Sequence, residues 1–290
     1  MSVDNSPSVS AVKSQGTLYI VATPIGNLED VTFRAIKILK EVQLVAAEDT
    51  RRTKKLLQAY QITTPLTSLF EHNELKKSGA LIEKILAGTD IAYVSDAGTP
   101  GISDPGYLLI QEALAHDIHI ISIPGACAAI AALSIAGLPM DSFVFYGFLP
   151  VKPGKRQHVI ESLAAEMKTM IFYESPNRLM ATLRDMLAIL GNRRVVVSRE
   201  LTKIYEEITR GLLTEVIDAW LDREIKGEIT LVMAGKDKAD VPCSEGDIHE
   251  LLLKYGDSTG LSERDLIQKI SQELKAPRKM VYKAVMKSKS

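Results

Sequence analysis

The chain reads as an α/β protein made of two sheet-containing halves and a small helical appendage. Three observations carry that expectation. Short β-branched runs alternate with amphipathic segments from Gly16 to Gly235, the pattern of mainly parallel sheets covered by helices. A length of 290 residues suggests about two domains at ~150 residues each. The third is a split in charge: the whole chain is −1, but residues 262–290 hold eight Lys/Arg and three acids, so a tail of +5 follows a body of −6.

Taken in order, residues 1–15 are small and polar, with no basic start and no apolar run, and read as a disordered leader and not a signal peptide. Strands are expected over Leu18–Ala22, Leu44–Ala47, Ile91–Ser95 and Ile118–Ile123, then over Phe143–Tyr146, Met170–Tyr173, Arg194–Ser198 and Ile229–Ala234. Helical periodicity covers 30–41, 74–87, 106–116, 156–167, 177–190 and 214–224. The uncharged stretch 118–140 is broken by Pro124-Gly125 and closed by Gly137-Leu138-Pro139, so it reads as a strand and a buried helix, Ala126–Ala136, and no membrane partner is expected. The Pro- and Gly-rich segment Phe148–Gly154 is the natural linker, dividing the body into 16–148 and 149–236. In the remaining piece, 237–290, Glu263–Leu274 and Pro277–Met286 flank a short turn at Lys275-Ala276. That spacing resembles a helix-turn-helix, against the plainer reading of a solvated helical tail.

Several chemistries are excluded. Cys127 and Cys243 are far apart and form no metal-ligand spacing, which points to a reducing, cytoplasmic setting, and His116 and His119 lack a third ligand. There is no G-x-G-x-x-G, no phosphate-cradling G-x-x-x-x-G-K-[ST], no G-x-S-x-G and no H-E-x-x-H.

What remains are the loops that follow strands, where α/β sheets hold ligands. Thr23–Leu28 is a tight turn. Asp96–Gly106 packs three glycines and two prolines into eleven residues, giving close backbone approach, exposed carbonyls and few donors. Such a wall suits a neutral or cationic ligand better than a phosphate. Charged clusters follow four strands, at Glu48–Arg52, Phe70–Glu74, Tyr173–Arg178 and Arg199–Lys203, as a polar cleft between the halves requires.

Together, Thr23–Leu28, Ala47–Arg51, Ser95–Pro100 with Ser103–Gly106, Tyr173–Pro176 and Arg199–Lys203 resemble the tetrapyrrole-methylase-like class of S-adenosylmethionine enzymes. Within it they are similar to the bacterial 16S ribosomal RNA cytidine 2′-O-methyltransferases, over residues 16–236 almost continuously. The resemblance implies two α/β subdomains with S-adenosylmethionine in the cleft between them, a helical RNA-binding appendage, a homodimer, and 16S ribosomal RNA or the 30S subunit as partner. By position, Pro24, Gly98, Thr99, Pro100, Ile102, Ala126, Cys127, Ala128 and Tyr173 would line the cofactor pocket. Cys127 stands where the family pattern often has Ser, which exchanges a hydroxyl for a weaker donor.

Methyl transfer is an in-line displacement, and a ribose hydroxyl gains from a general base. Glu71, His72, Asp49 and Glu200 are the candidates, in no fixed order. Arg51, Arg52, Arg156 and Lys203, with Arg278, Lys279 and Lys283 of the tail, would hold the RNA backbone, against the plainer reading of surface ion pairs. Two other functions stay open: a methylase of porphyrin-like small molecules, and a ribosome-assembly factor that no longer catalyses.

Overall fold

The computed structural model describes residues 15–70, 74–237, 245–256, 262–274, 276 and 278–288. Among them the body forms two five-stranded sheets, as the periodicity requires. In the first, β1 (Thr17–Val21), β2 (Leu44–Ala47), β3 (Leu66–Ser68), β4 (Ile91–Val94) and β5 (His119–Ile123) lie in the order β3-β2-β4-β1-β5, every pair parallel. Helices α1 (Phe33–Glu41) and α2 (Thr50–Ala59) cover one face through Ala35, Leu39 and Leu57. Helices α3 (Glu74–Leu86) and α4 (Tyr107–Ala115) cover the other through Leu81, Ile85 and Leu109. With both faces covered, the central strand β4 is buried at all four residues, which is why it reads as an unbroken apolar run.

The chain leaves β1 toward β2 and leaves β4 toward β5, in opposite directions across the sheet. The carboxyl ends of these two neighbours therefore open a crevice at the reversal of strand order. The segments around it are fixed by their own caps. Asp49 caps α2, accepting the Arg51 N–H at 2.8 Å. Helix α4 has no capping side chain of its own. Instead, the buried Glu74 carboxylate accepts the N–H groups of Gly106, Leu108 and Leu109 at 3.0, 3.0 and 3.3 Å. One acid at the start of α3 thereby satisfies the orphan donors of α4 and anchors the end of the glycine-rich loop.

In the second sheet β6 (Phe143–Phe148), β7 (Thr169–Glu174), β8 (Arg194–Arg199), β9 (Glu207–Leu212) and β10 (Ile229–Met233) run in the order β6-β7-β10-β8-β9. Residues alternate cleanly. Met170, Phe172, Val195, Val197, Leu231 and Met233 face a core shared with α6 (Pro153–Ser162), α7 (Leu179–Leu190) and α8 (Leu213–Trp220). Ile171, Val196 and Val232 face the other way, onto α5 (Ala128–Ala136), whose Ala129, Ala132 and Ala136 allow close approach. The helix that follows the last strand of the first sheet is thus the cover of the second, and it binds the two halves together.

Three expectations are corrected. The sheets are not both mainly parallel: in the second, β6–β7 is parallel and the other three pairings are antiparallel. The β8–β9 connection spans residues 200–206, too short for the crossover that a parallel pair needs. The halves also do not divide at Phe148–Gly154. Strand β6 pairs with β7 from Phe143↔Thr169 to Phe148↔Tyr173, so the chain enters the second sheet at Phe143, and Pro153 simply opens α6. The appendage, finally, has three helices among its described residues. Helix α9 (Glu245–Gly256) joins α10 (Glu263–Glu273) and α11 (Arg278–Ser288) around Ile248, Ile270, Val281 and Val285. Among the described residues no helix is long and apolar enough to cross a membrane.

Candidate active site

At the crevice between β1 and β4 the two loops are stitched together. Thr23 and Gly98 exchange backbone hydrogen bonds of 2.9 and 3.0 Å, and the Thr99 hydroxyl donates to the Ala126 carbonyl at 3.2 Å. Gly98 needs its freedom here. Its φ is +82°, and a Cβ would lie 3.3 Å from Ile25 Cγ2. The second half closes the crevice from above with Phe148, Tyr173 and the turn before β10, leaving a cavity of about 380 Å³.

Gly98, Thr99, Ile102, Cys127, Ala128 and Tyr173 all border that cavity. Pro24 borders an adjoining cavity of about 250 Å³, which shares Ile25, Arg52, Asp96 and Glu228 with the first. Pro100 and Ala126 border neither cavity: Pro100 is buried within the loop, and the Ala126 carbonyl accepts the Thr99 hydroxyl. Tyr173 is positioned by ring contacts with Phe145 and Phe148, at 5.0 and 5.7 Å between centroids. Its hydroxyl accepts the Ala129 N–H at 3.3 Å, and burial holds it protonated, far above the usual phenol range.

The base candidates fare differently. Glu71 and His72 lie outside the described residues. Asp49 is spent on α2 and on Arg51, whose Nη2 lies 2.7 Å from its carboxylate; that bond holds the carboxyl well below the usual range, so it is a poor proton acceptor. Glu200 borders neither cavity. Although burial pushes its pKa up, the hydrogen bonds from Lys203 Nζ (2.8 Å) and the Glu228 N–H (2.9 Å) prevail and hold it below the ordinary value. Its work is to fix Lys203 over Gly26, while Thr202 Oγ1 accepts the Asn27 N–H at 3.1 Å; together they latch the second half to the Thr23–Leu28 loop.

Among the proposed RNA contacts, Arg51 is exposed, and Arg52 stands at the mouth shared by both cavities, 3.5 Å from Asp96. Lys203 faces the smaller cavity but is bound to Glu200 and Glu228. Arg278, Lys279 and Lys283 are exposed on α11. Arg156 is corrected: it is buried, and its guanidinium grips Asp185 at 2.7 Å through both Nε and Nη2, so it holds α6 to α7 and faces no solvent-borne phosphate.

Four acids of the cleft are not among the candidate site residues, although Glu48 belongs to the charged cluster Glu48–Arg52 and Asp96 and Asp104 to the glycine-rich loop. Glu48, Asp96, Asp104 and Glu228 converge on the main cavity. Glu48 accepts the Asp96 N–H at 3.1 Å, and Asp96 accepts the Asp49 N–H at 2.9 Å. Asp104 is pushed up to about 6, chiefly by burial and then by the negative charge of Glu48, with a hydrogen bond from Ser95 opposing. The residue before it, Ser103, has φ +65°, and its hydroxyl packs where a bulge in β6 at Gly147 leaves room. Asp104 lies within the Ser103–Gly106 motif, where residue type alone does not reveal its burial. Glu228 carried no local signal, because an antiparallel strand brings it to the cleft. Among the described residues no group of His, Cys, Asp and Glu could hold a metal ion.

Comparison with known proteins gives a consistent picture. The family of Tetrapyrrole (Corrin/Porphyrin) Methylases matches residues 17–217. A ribosomal RNA small subunit methyltransferase I of Halalkalibacterium halodurans is 47% identical over 92% of this chain and 94% of its own. Proteins of the same name are 48% identical in Synechocystis sp., over 92% and 96%, and 42% identical in Bacillus subtilis, over 96% of both chains. Among solved structures, a cobalt precorrin-4 methyltransferase superposes with a TM-score of 0.58 at 16% identity, covering 75% of this chain and 94% of its own. A uroporphyrin-III C-methyl transferase of Thermus thermophilus, complexed with S-adenosyl homocysteine, gives 0.53 at 16% identity, covering 75% and 97%.

Proposed function

We propose a function from the premise that this chain belongs to the tetrapyrrole methylase family, and within it to the ribosomal RNA small subunit methyltransferases I. It transfers a methyl group from S-adenosylmethionine to the 2′-hydroxyl of a cytidine in 16S ribosomal RNA. The observation that carries this reading is the charge arrangement of the cleft: a cavity bordered by the acids Glu48, Asp96, Asp104 and Glu228, with exposed cations at its mouth. The first suits a cationic donor and the second a polyanionic acceptor.

S-adenosylmethionine, when bound, supplies a methyl group activated on a sulfonium cation. The residues present fit it. Gly98 leaves the space a Cβ would fill, Thr99, Ile102, Cys127 and Ala128 form the wall around it, and Tyr173 closes the site from the second half. Asp104 takes the ribose proton. It borders the cavity, is pushed up to about 6 and is not engaged by an Arg or Lys, whereas Asp49 and Glu200 are; Glu48 is also raised by burial, but its carboxylate accepts the Asp96 N–H. Methylation of the ribose oxygen would release the hydroxyl proton, and the Asp104 carboxylate at the cavity wall would take it. Arg51 and Arg52, together with Arg278, Lys279 and Lys283 of the appendage, position phosphates. The reading extends to a homodimer in the cytoplasm acting on RNA or the 30S subunit, which light scattering of the purified protein tests for assembly.

The tetrapyrrole alternative draws on solved structures at 16–19% identity, which speak to the fold, and is outweighed by relatives at 42–48% named for ribosomal RNA. The test is transfer of labelled methyl from S-adenosylmethionine to naked 16S RNA, 30S subunits and a tetrapyrrole. Label in an RNA substrate is expected; label in the tetrapyrrole alone, or in none of the three, rejects the reading.

A further inference from the structure

Helix α2 is charged against its own dipole. Its sequence, TRRTKKLLQA, puts Arg51, Arg52, Lys54 and Lys55 within the first six residues, and it has no acid in the first turn and no base in the last. A helix N-terminus favours anions, so the first-turn cations Arg51 and Arg52 oppose the dipole. Asp49, the capping residue, offsets Arg51. Among the described residues neither Lys54 nor Lys55 pairs with a carboxylate, and both are exposed. In a body of net charge −6, four cations on ten residues with no acid among them are not explained by folding.

Their placement gives them a use. Thr53, Leu56 and Leu57 form the buried line of α2 and leave the cations on its two flanks. Arg52 and Lys55 border the smaller cavity, which opens into the main cleft. Arg51 and Lys54 border an open groove of about 900 Å³ on the other flank, beside Thr64, Thr67 and Ser68. Lys77 lies across its floor, donating from Nζ to the Ser68 carbonyl and hydroxyl, both at 2.8 Å, with no carboxylate beside it among the described residues. The groove therefore offers cations and hydroxyl groups, and its charged side chains are all positive. From these features we infer that α2 is the track along which an RNA strand lies, its phosphates over Arg51, Lys54 and Lys77 on one flank and over Arg52 and Lys55 where the strand turns into the cleft. The inference rests on the RNA reading above and adds to it Lys54, Lys55, Lys77 and the groove.

The double variant Lys54→Gln/Lys55→Gln tests it, with Lys37→Gln/Lys40→Gln on α1 as a control of equal charge change. Binding of a labelled 16S RNA fragment is measured from 50 to 200 mM salt, with S-adenosylmethionine affinity and melting temperature measured on the same samples. The α2 variant is expected to bind RNA at least tenfold more weakly at 50 mM salt, with its salt slope reduced by about 1.5 for two lost phosphate contacts. Cofactor affinity and melting temperature should be unchanged, because Lys54 and Lys55 are exposed and lie beyond the first turn of the helix. An unchanged slope, or an equal loss in the α1 control, overturns the inference. So does weaker binding to 30S subunits with naked RNA unaffected, which would assign the track to a protein partner. A wild-type protein that binds and methylates no RNA instead removes the reading on which the inference stands.

Discussion

The floor and the rim of the cleft carry opposite charge. Glu48, Asp96, Asp104 and Glu228 converge inside, while Arg51, Arg52, Lys54 and Lys55 stand along the helix at its edge. Asp96 and Arg52, 3.5 Å apart, mark the boundary between them. A near-zero net charge conceals this division because both signs occur within one small region of the fold. The difference teaches that one cleft can serve a cationic donor and a polyanionic acceptor, provided that the transfer takes place where the two fields meet.

The largest effect expected from breaking this arrangement is at the floor. Asp104→Asn should lower the single-turnover rate by roughly 10²–10⁴-fold while leaving cofactor affinity within a few-fold. In the wild type the carboxylate is the active form, so the rate should climb as pH rises through about 6 and level off above it. The variant should lose that rise; a variant that keeps it assigns the base elsewhere.

Next in size is a change away from both regions. Arg156→Ala leaves Asp185 uncompensated in a nearly buried site and should cost about 3 kcal/mol of stability, seen in denaturant midpoints. RNA affinity of the folded variant should not move, and a loss of RNA binding without loss of stability would return Arg156 to the rim. Gly98→Val combines a strained positive φ with the contact against Ile25. It should weaken cofactor binding by about tenfold or more in calorimetry, from roughly 1–3 kcal/mol of strain, and unchanged affinity would refute the placement of the donor. The smallest effect is expected from ending the chain after Lys236. RNA affinity and its salt slope should fall, by about 0.7–0.9 per lost phosphate contact, while cofactor affinity stays constant. Parallel loss of cofactor affinity would make the appendage a support of the fold.

The first sheet was more legible than the second for a physical reason. Parallel strands covered on both faces, such as Ile91–Val94, must be apolar throughout, and they stand out against their loops. Strand β9, with Glu207, Thr209 and Arg210 at the sheet edge, presents no such run, and β3 is three residues long. Helix α2 shows in sequence only as charge, because its buried line is only Thr53, Leu56 and Leu57. In the site, the glycine-rich loops were legible because backbone freedom leaves a mark in residue type. Which acid of the region keeps a carboxylate free of capping and ion-pair partners was not, since Asp49, Glu74 and Glu174 look like Asp104 in sequence. Asp49 and Glu74 cap helices, and Glu174 is held by Arg178 and Thr182 at 2.6 Å each. Partners assigned by the fold, not residue type, separate a structural acid from a catalytic one.

The most direct test of the account is to incubate the protein with 16S RNA and S-adenosylmethionine carrying a deuterated methyl group, digest the RNA to nucleosides and weigh them. The account predicts the heavy methyl on the ribose of cytidine. A heavy methyl on a base, or none on any nucleoside, would contradict it.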